Sequence, residues 1–248
     1  MQKSYSHADW LKCPDRLDFQ SHQVDVWRIK LDLPLATVKQ LESTLSTDES
    51  QRARRFHFEK DKTNYIVAHG CLRDILSRCL QCEPGKLNFD INDYGKPSIK
   101  GYKLEFNLSH SGNLALIAVS RECKVGVDVE HIRSNMEFES IANRFFSPNE
   151  VAELISLPLE QRTIAFFNCW TRKEAYIKAQ GLGLSLPLDS FDVSLTPNEP
   201  VLLHATRPDS HEANRWSLYS LEVDSGYAAA VAINDKDLKL RLWDWFLG

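Results

Sequence analysis

The sequence has no long apolar run. Its longest uninterrupted ones, Leu114–Val119 and Ala228–Ile233, are six residues each, against the about twenty that a membrane-spanning helix needs. Residues 1–19 hold no apolar stretch of signal-peptide length. Both absences predict a cytoplasmic protein with no membrane partner. There is no surplus of positive charge either: 30 Lys and Arg stand against 34 Asp and Glu, a net charge of −4. A general nucleic-acid binder would need a basic surplus, so no nucleic-acid partner is expected. That balance still leaves room for a local basic pocket. The six cysteines, Cys13, Cys71, Cys79, Cys82, Cys123 and Cys169, lack the paired spacing of a zinc site. Cys79 and Cys82 form a lone C-x-x-C near the end of an apolar helical pattern, where reduced packing residues are expected rather than a redox pair. No G-x-S-x-G elbow surrounds any serine, so a Ser/His hydrolase fits poorly.

What is present is a chain of 248 residues, 43% hydrophobic and 26% charged, long enough for one large or two small domains. Val24–Leu33 alternates as a strand does. Ser46-Thr47-Asp48-Glu49 is a capping box that opens a helix. A run rich in Arg and Lys follows, and then Ile66, Cys71, Leu72, Ile75, Leu76 and Leu80 fall at helical spacing. Strands are predicted at Leu87–Ile91, Leu104–Leu108, Leu114–Ser120 and Lys124–Glu130. A second box, Ser147-Pro148-Asn149-Glu150, has proline at the first helical position. A long helix over about Thr163–Gln180 is stopped by Gly181-Leu182-Gly183. Two or three strands close the pattern, among them Trp216–Val223 and Tyr227–Ile233.

The second half echoes the first. Val24-Asp25-Val26 against Val125-Gly126-Val127, and Ser46…Glu49 against Ser147…Glu150, are both offset by 101 residues. Ser111-Gly112-Asn113-Leu114-Ala115 matches Ser225-Gly226-Tyr227-Ala228-Ala229 at an offset of 114. A duplicated unit with one insertion gives such a drift. The expected fold is therefore α+β, as two similar α+β halves, 1–118 and 119–248, packed with pseudo-two-fold symmetry and a ligand site at their interface.

Several clusters could carry chemistry. On a strand, Asp128 and Glu130 project to one side and Val127 and Val129 to the other. Two adjacent carboxylates suit a divalent cation or a solvated strand edge. Glu174 and Lys178 share one helix face at i, i+4. Phe106-Asn107-Leu108-Ser109-His110-Ser111-Gly112 reads as a strand running into a polar loop, suited to phosphate contacts or to a plain hairpin turn. Tyr94-Gly95-Lys96-Pro97 presents one lysine on a turn.

Taken in order, these segments resemble the 4′-phosphopantetheinyl transferases, of the broad-specificity, surfactin-synthetase-activating type. The motifs that carry the likeness are Y-G-K-P at 94–97, F-N-L-S-H-S at 106–111, G-V-D-V-E at 126–130, R-F-F-S-x-x-E at 144–150, W-T-R-K-E-A-Y-I-K at 170–178 and G-L-G-L-S-L-P-L-D-S-F at 181–191. The resemblance runs from near Leu45 to about Val193. It implies transfer of the phosphopantetheine of coenzyme A to a serine of an apo acyl, polyketide or nonribosomal-peptide carrier protein, leaving adenosine 3′,5′-bisphosphate. It implies Mg²⁺, or Mn²⁺, on Asp128, Glu130 and Glu174, with Glu174 as general base and Lys178 at the leaving phosphate. It places Arg52, Lys96, Pro97, Ser109 and His110 in the coenzyme A site and implies a monomer. By the same likeness the carrier docks beside residues 144–180, steered by Arg144, Arg172 or Lys173. Two positions depart from the family. Asn64 stands where an arginine for the 3′-phosphate is usual, and Glu49 where a lysine is, which leaves Arg52, Arg55, Lys60 or His69 to serve that group. A coenzyme A-binding module without turnover and a metal-dependent phosphodiesterase are the competing readings.

Overall fold

The computed structural model describes residues 5–14, 22–133 and 136–247. In the first half, β1 (Trp10–Lys12) and β2 (Gln23–Lys30) precede three helices, α1 (Leu35–Glu42), α2 (Thr47–Ala53) and α3 (Glu59–Leu80). A small hairpin, β3 (Phe89–Ile91) and β4 (Pro97–Ile99), leads to the antiparallel pair β5 (Glu105–Ser111) and β6 (Leu114–Ser120). The second half opens with β7 (Val125–His131), followed by α4 (Phe138–Phe145), α5 (Pro148–Ser156) and α6 (Leu159–Gln180). It continues through β8 (Phe191–Val193), β9 (Leu203–Thr206), β10 (Ser217–Ser220) and β11 (Tyr227–Ile233) to β12 (Lys239–Asp244).

The main sheets have the orders β1-β12-β2-β6-β5 and β10-β11-β7. Alternation along each strand sorts the side chains into layers. Val24, Val26, Leu114, Leu116, Val125, Val127, Val129, Val231 and Ile233 form one core shared by the two sheets. Trp27, Ile29, Ile117 and Val119 turn the other way and pack under α3. Ala228, Ala230 and Ala232 do the same under α6. The resulting order of layers is helix, sheet, sheet, helix. The mixed helix-and-sheet architecture agrees with the α+β expectation.

Both capping boxes form, with Ser46 Oγ accepting the Glu49 N–H and Ser147 Oγ accepting the Glu150 N–H, each at 3.2 Å. Each box also anchors its short helix to the long one. The Glu49 carboxylate takes Arg73 Nε at 2.7 Å, and Arg73 donates on to the carbonyls of Pro84 and Leu87. The Glu150 carboxylate takes Lys173 Nζ at 2.7 Å, and Lys173 donates on to the carbonyls of Leu188 and Phe191. One device, a capping glutamate on a buried cation that ties down the segment after the long helix, thus occurs at equivalent places in the two halves.

The strand β12 belongs by pairing to the first sheet, between β1 and β2 and parallel to both. Asp25, fully buried, accepts Arg241 Nε at 2.6 Å and Trp243 Nε1 at 2.7 Å, which fixes β12 on β2. One expectation changes, and two helices appear that the sequence pattern does not predict. Ser109, His110 and Ser111 lie within β5 rather than in a loop, because the chain stays extended until the Gly112 turn. The helices α1 and α4 carry no side-chain N-cap bond, the signal that marks α2 and α5. Lys173→Ala strands the Glu150 carboxylate without its cation and should cost about 3–5 kcal/mol in urea unfolding. An unchanged midpoint would show that the anchor is dispensable.

Candidate active site

Strands β5 and β7 are edges of separate sheets that run side by side. Side chains of β5 bridge them. Asn107 Oδ1 accepts the Val127 N–H at 2.9 Å, Ser109 Oγ accepts that of Val129 at 3.4 Å, and Ser111 Oγ accepts that of His131 at 3.1 Å. The two serine hydroxyls donate in turn to the acids of β7. Ser109 bonds Asp128 Oδ1 at 2.8 Å and Ser111 bonds Glu130 Oε2 at 2.7 Å.

Helix α6 lies directly against β7 because Gly126 has no side chain. A Cβ there would stand 2.1 Å from the Ala175 carbonyl oxygen and 2.3 Å from the Ala179 nitrogen. This close approach brings Glu174 and Lys178 down onto the acids. Lys178 Nζ donates to Asp128 Oδ1 at 2.6 Å and to Ser109 Oγ at 3.0 Å. Asp128 is 3% exposed, and its Oδ2 has no hydrogen-bond partner. Burial raises the Glu174 pKa, and the charges of Asp128 and Glu130 raise it further against the pull of Lys178. Burial likewise raises that of Glu130, with the Ser111 hydroxyl opposing and Asp128 reinforcing. Three acids that repel one another around an orphaned carboxylate oxygen fit a hard divalent cation with oxygen ligands. With the Lys178 ammonium on Asp128, no three His, Cys, Asp or Glu groups among the described residues close around one point. The donor chemistry fits; the closed cage is not formed.

These groups line one side of a cleft of about 810 Å³. Arg52, Pro97, Ser109, His110, Asp128, Glu130, Glu174 and Lys178 all border it. Lys96 does not: its ammonium is held by Glu105 Oε2 at 3.0 Å and the Ala179 carbonyl at 3.1 Å, so it braces the hairpin against α6. Arg172 and Lys173 are corrected as carrier-steering residues. Both are buried, Arg172 on the Ser194 carbonyl and Lys173 on Glu150, and only Arg144 of the three is exposed.

The first-half wall is a chain of contacts. The Arg52 guanidinium sits 5.7 Å from the centre of the Tyr65 ring, Tyr65 stacks on His69 at 4.0 Å, and His69 Nδ1 lies 3.6 Å from Glu49. His69 lines the cleft, Arg55 borders an adjoining hollow with Arg52, and Asn64 donates to the Gly112 carbonyl. Burial and the neighbouring His69 and Lys178 lower the His110 pKa. The sequence assigns Ser111 no role of its own beyond its motif and does not single out Arg73. The i, i+2 spacing of Asn107, Ser109 and Ser111 was the available signal for the first, and the capping box was the signal for the second.

Burial alone would raise the Glu49 pKa, but the His69 ring beside it and hydrogen bonds from the Ser46 N–H and Arg73 overcome it and hold the group at about 2. A pKa lower in the folded state stabilises the fold above the unfolded value of 4.5 and loses that stabilisation as pH falls towards 2. Urea unfolding from pH 5 to pH 2 should therefore show a steeper loss for wild type than for Glu49→Gln. Parallel curves would contradict the assignment.

The family described as the 4′-phosphopantetheinyl transferase superfamily matches residues 124–232, and that described as 4′-phosphopantetheinyl transferase, N-terminal, matches residues 35–122. The 4′-phosphopantetheinyl transferase HetI of Nostoc sp. strain PCC 7120 is 41% identical over 240 residues, which is 95% of this chain and 98% of HetI. The 4′-phosphopantetheinyl transferase Sfp of Bacillus subtilis strain 168 is 34% identical over 215 residues, 86% of this chain and 93% of Sfp. Among solved structures, the holo-acyl-carrier-protein synthase of Thermotoga maritima is similar over 46% of this chain and 63% of its own, with 23% identity and a TM-score of 0.36. Both halves of the sequence, and with them both walls of the cleft, match this one family: the chain belongs to the 4′-phosphopantetheinyl transferases.

Proposed function

We propose that this chain transfers the 4′-phosphopantetheine of coenzyme A to a serine hydroxyl of an apo carrier protein, at the cleft where Asp128, Glu130, Glu174 and Lys178 converge. The observation that carries the reading is the approach of Glu174 and Lys178, from α6, to the carboxylate pair of β7. Asp128, Glu130 and Glu174 would hold Mg²⁺, for which Mn²⁺ can substitute. Bound there, the ion supplies neutralising charge to the diphosphate of coenzyme A.

The chain's own residues do the rest. Glu174, made more basic by burial and by its acidic neighbours, accepts the proton of the carrier serine, directly or through a water. The serine oxygen forms a new bond to the phosphorus that bears pantetheine, and the bond from that phosphorus to the bridging diphosphate oxygen breaks. The electron pair leaves with adenosine 3′,5′-bisphosphate, next to the Lys178 ammonium. Arg52, Pro97, Ser109 and His110 line the donor's path. Fatty-acid, polyketide and nonribosomal-peptide carriers are the proposed acceptors. The halves 1–118 and 119–248, with β12 exchanged into the first sheet, together build both walls of the cleft, which supports action as a monomer. No helix among the described residues is long and apolar enough to cross a membrane, and the proposed location is the cytoplasm. A binding module without turnover is not favoured, because the relatives are transferases.

Transfer of labelled pantetheine from coenzyme A to an apo carrier should require Mg²⁺ and stop on chelation. Glu174→Gln should lower kcat by about 10²–10⁴-fold. Transfer that survives chelation, or an unchanged kcat in that variant, would refute the mechanism. Hydrolysis of coenzyme A with no carrier present would instead support a phosphodiesterase.

A further inference from the structure

We propose that Ser111 is a positioning residue that holds the Glu130 carboxylate in the orientation needed for divalent-ion binding. This rests on the reading of Asp128, Glu130 and Glu174 as ion ligands.

Ser111 ends β5, is 9% exposed, and stands behind the residues that line the cleft. Its reach into the site is through one neighbour. The hydroxyl accepts the His131 N–H at 3.1 Å and donates to Glu130 Oε2 at 2.7 Å. The N–H and the carboxylate belong to consecutive residues of β7. The main-chain bond therefore pins the Ser111 oxygen relative to the same backbone that carries Glu130. With that bond made, the hydroxyl proton is left to the carboxylate. One carboxylate oxygen is held and the other, Oε1, keeps its lone pairs for a ligand. A ligating group that is itself hydrogen-bonded is oriented before the ion arrives, and loss of such a partner typically weakens metal binding by about 10–100-fold.

Ser109 repeats the pattern on Asp128, but it also receives a hydrogen bond from Lys178 and borders the cleft. Its replacement would mix several effects. Asn107 also lines the cleft, but its side-chain oxygen bridges only to the Val127 N–H, with neither a carboxylate nor Lys178 attached. It separates the seam's mechanical part from the aiming of an acid.

The test measures Mn²⁺ affinity by electron paramagnetic resonance, with coenzyme A saturating, alongside melting temperature and the Mg²⁺ dependence of transfer. Ser111→Ala should weaken Mn²⁺ binding by about 10–100-fold and raise the half-saturating Mg²⁺ by the same factor, while kcat at saturating Mg²⁺ stays close to wild type. Ser111→Thr, which keeps the hydroxyl, should restore the affinity. Asn107→Ala should lower the melting temperature and leave the Mn²⁺ affinity unchanged. If Ser111→Ala fails to fold, Ser111→Cys decides, since its weak S–H donor should give a smaller loss in the same direction. Unchanged Mn²⁺ affinity in a folded Ser111→Ala, an equal loss in Asn107→Ala, or no rescue by threonine would overturn the proposal. A wild-type protein that binds no Mn²⁺ would overturn the ion reading and this one with it.

Discussion

The site depends on a seam made of side chains. Where two strands pair through their backbones, they stand about 4.8 Å apart and the main-chain groups that face the partner are used up in the ladder. At the junction of β5 and β7, an amide and two hydroxyls stand between the strands instead. Interposed side chains widen the gap, and a hydroxyl has capacity left after it accepts one N–H. That spare capacity is spent on Asp128 and Glu130. The contact that joins the halves and the contact that holds the acids are thus the same atoms. Helix α6 completes the arrangement, and it can do so only because Gly126 lets the helix backbone touch the strand.

Behind the seam, each half is held by a capping glutamate on a buried cation. In the second half the pair is sealed: Glu150 and Lys173 are 1% and 0% exposed. In the first half the counterpart, Glu49 with Arg73, borders the cleft. Glu49 is therefore structural and at the surface of the site at once. A lysine at that position, as the family likeness suggests, could not accept the Ser46 N–H or pair with Arg73. The departure in the sequence and the anchor in the fold are one fact.

Much of this was legible in the residues. The two capping boxes, the long apolar helices and the alternation that sends Asp128 and Glu130 one way and Val127 and Val129 the other all reappear. Local spacing determines such features, so local reading finds them. The extent of β5 was not legible, because Ser109-His110-Ser111 is polar and polar strings read as loops; its antiparallel pairing with Leu114–Leu116 of β6 makes it a strand end. Arg172 and Lys173 misled for a related reason. A charged residue in a motif looks exposed and functional, whereas these two are buried on a carbonyl or a carboxylate from another part of the chain. Burial of that kind is a property of the fold and leaves no mark at the position itself.

The placement of β12 bears on how the molecule comes into being. Protein synthesis delivers residues in order, and domains usually mature in that order. Here the portion translated first cannot finish its own sheet, since the strand that separates β1 from β2 is encoded at 239–244. Until it arrives, the nascent chain carries an open flank along β2 and an Asp25 that has Gln23 but lacks Arg241 and Trp243. Open flanks of this sort invite unwanted pairing. The five-stranded sheet therefore does not close in the order in which the chain is made; its first-made strands wait for the last.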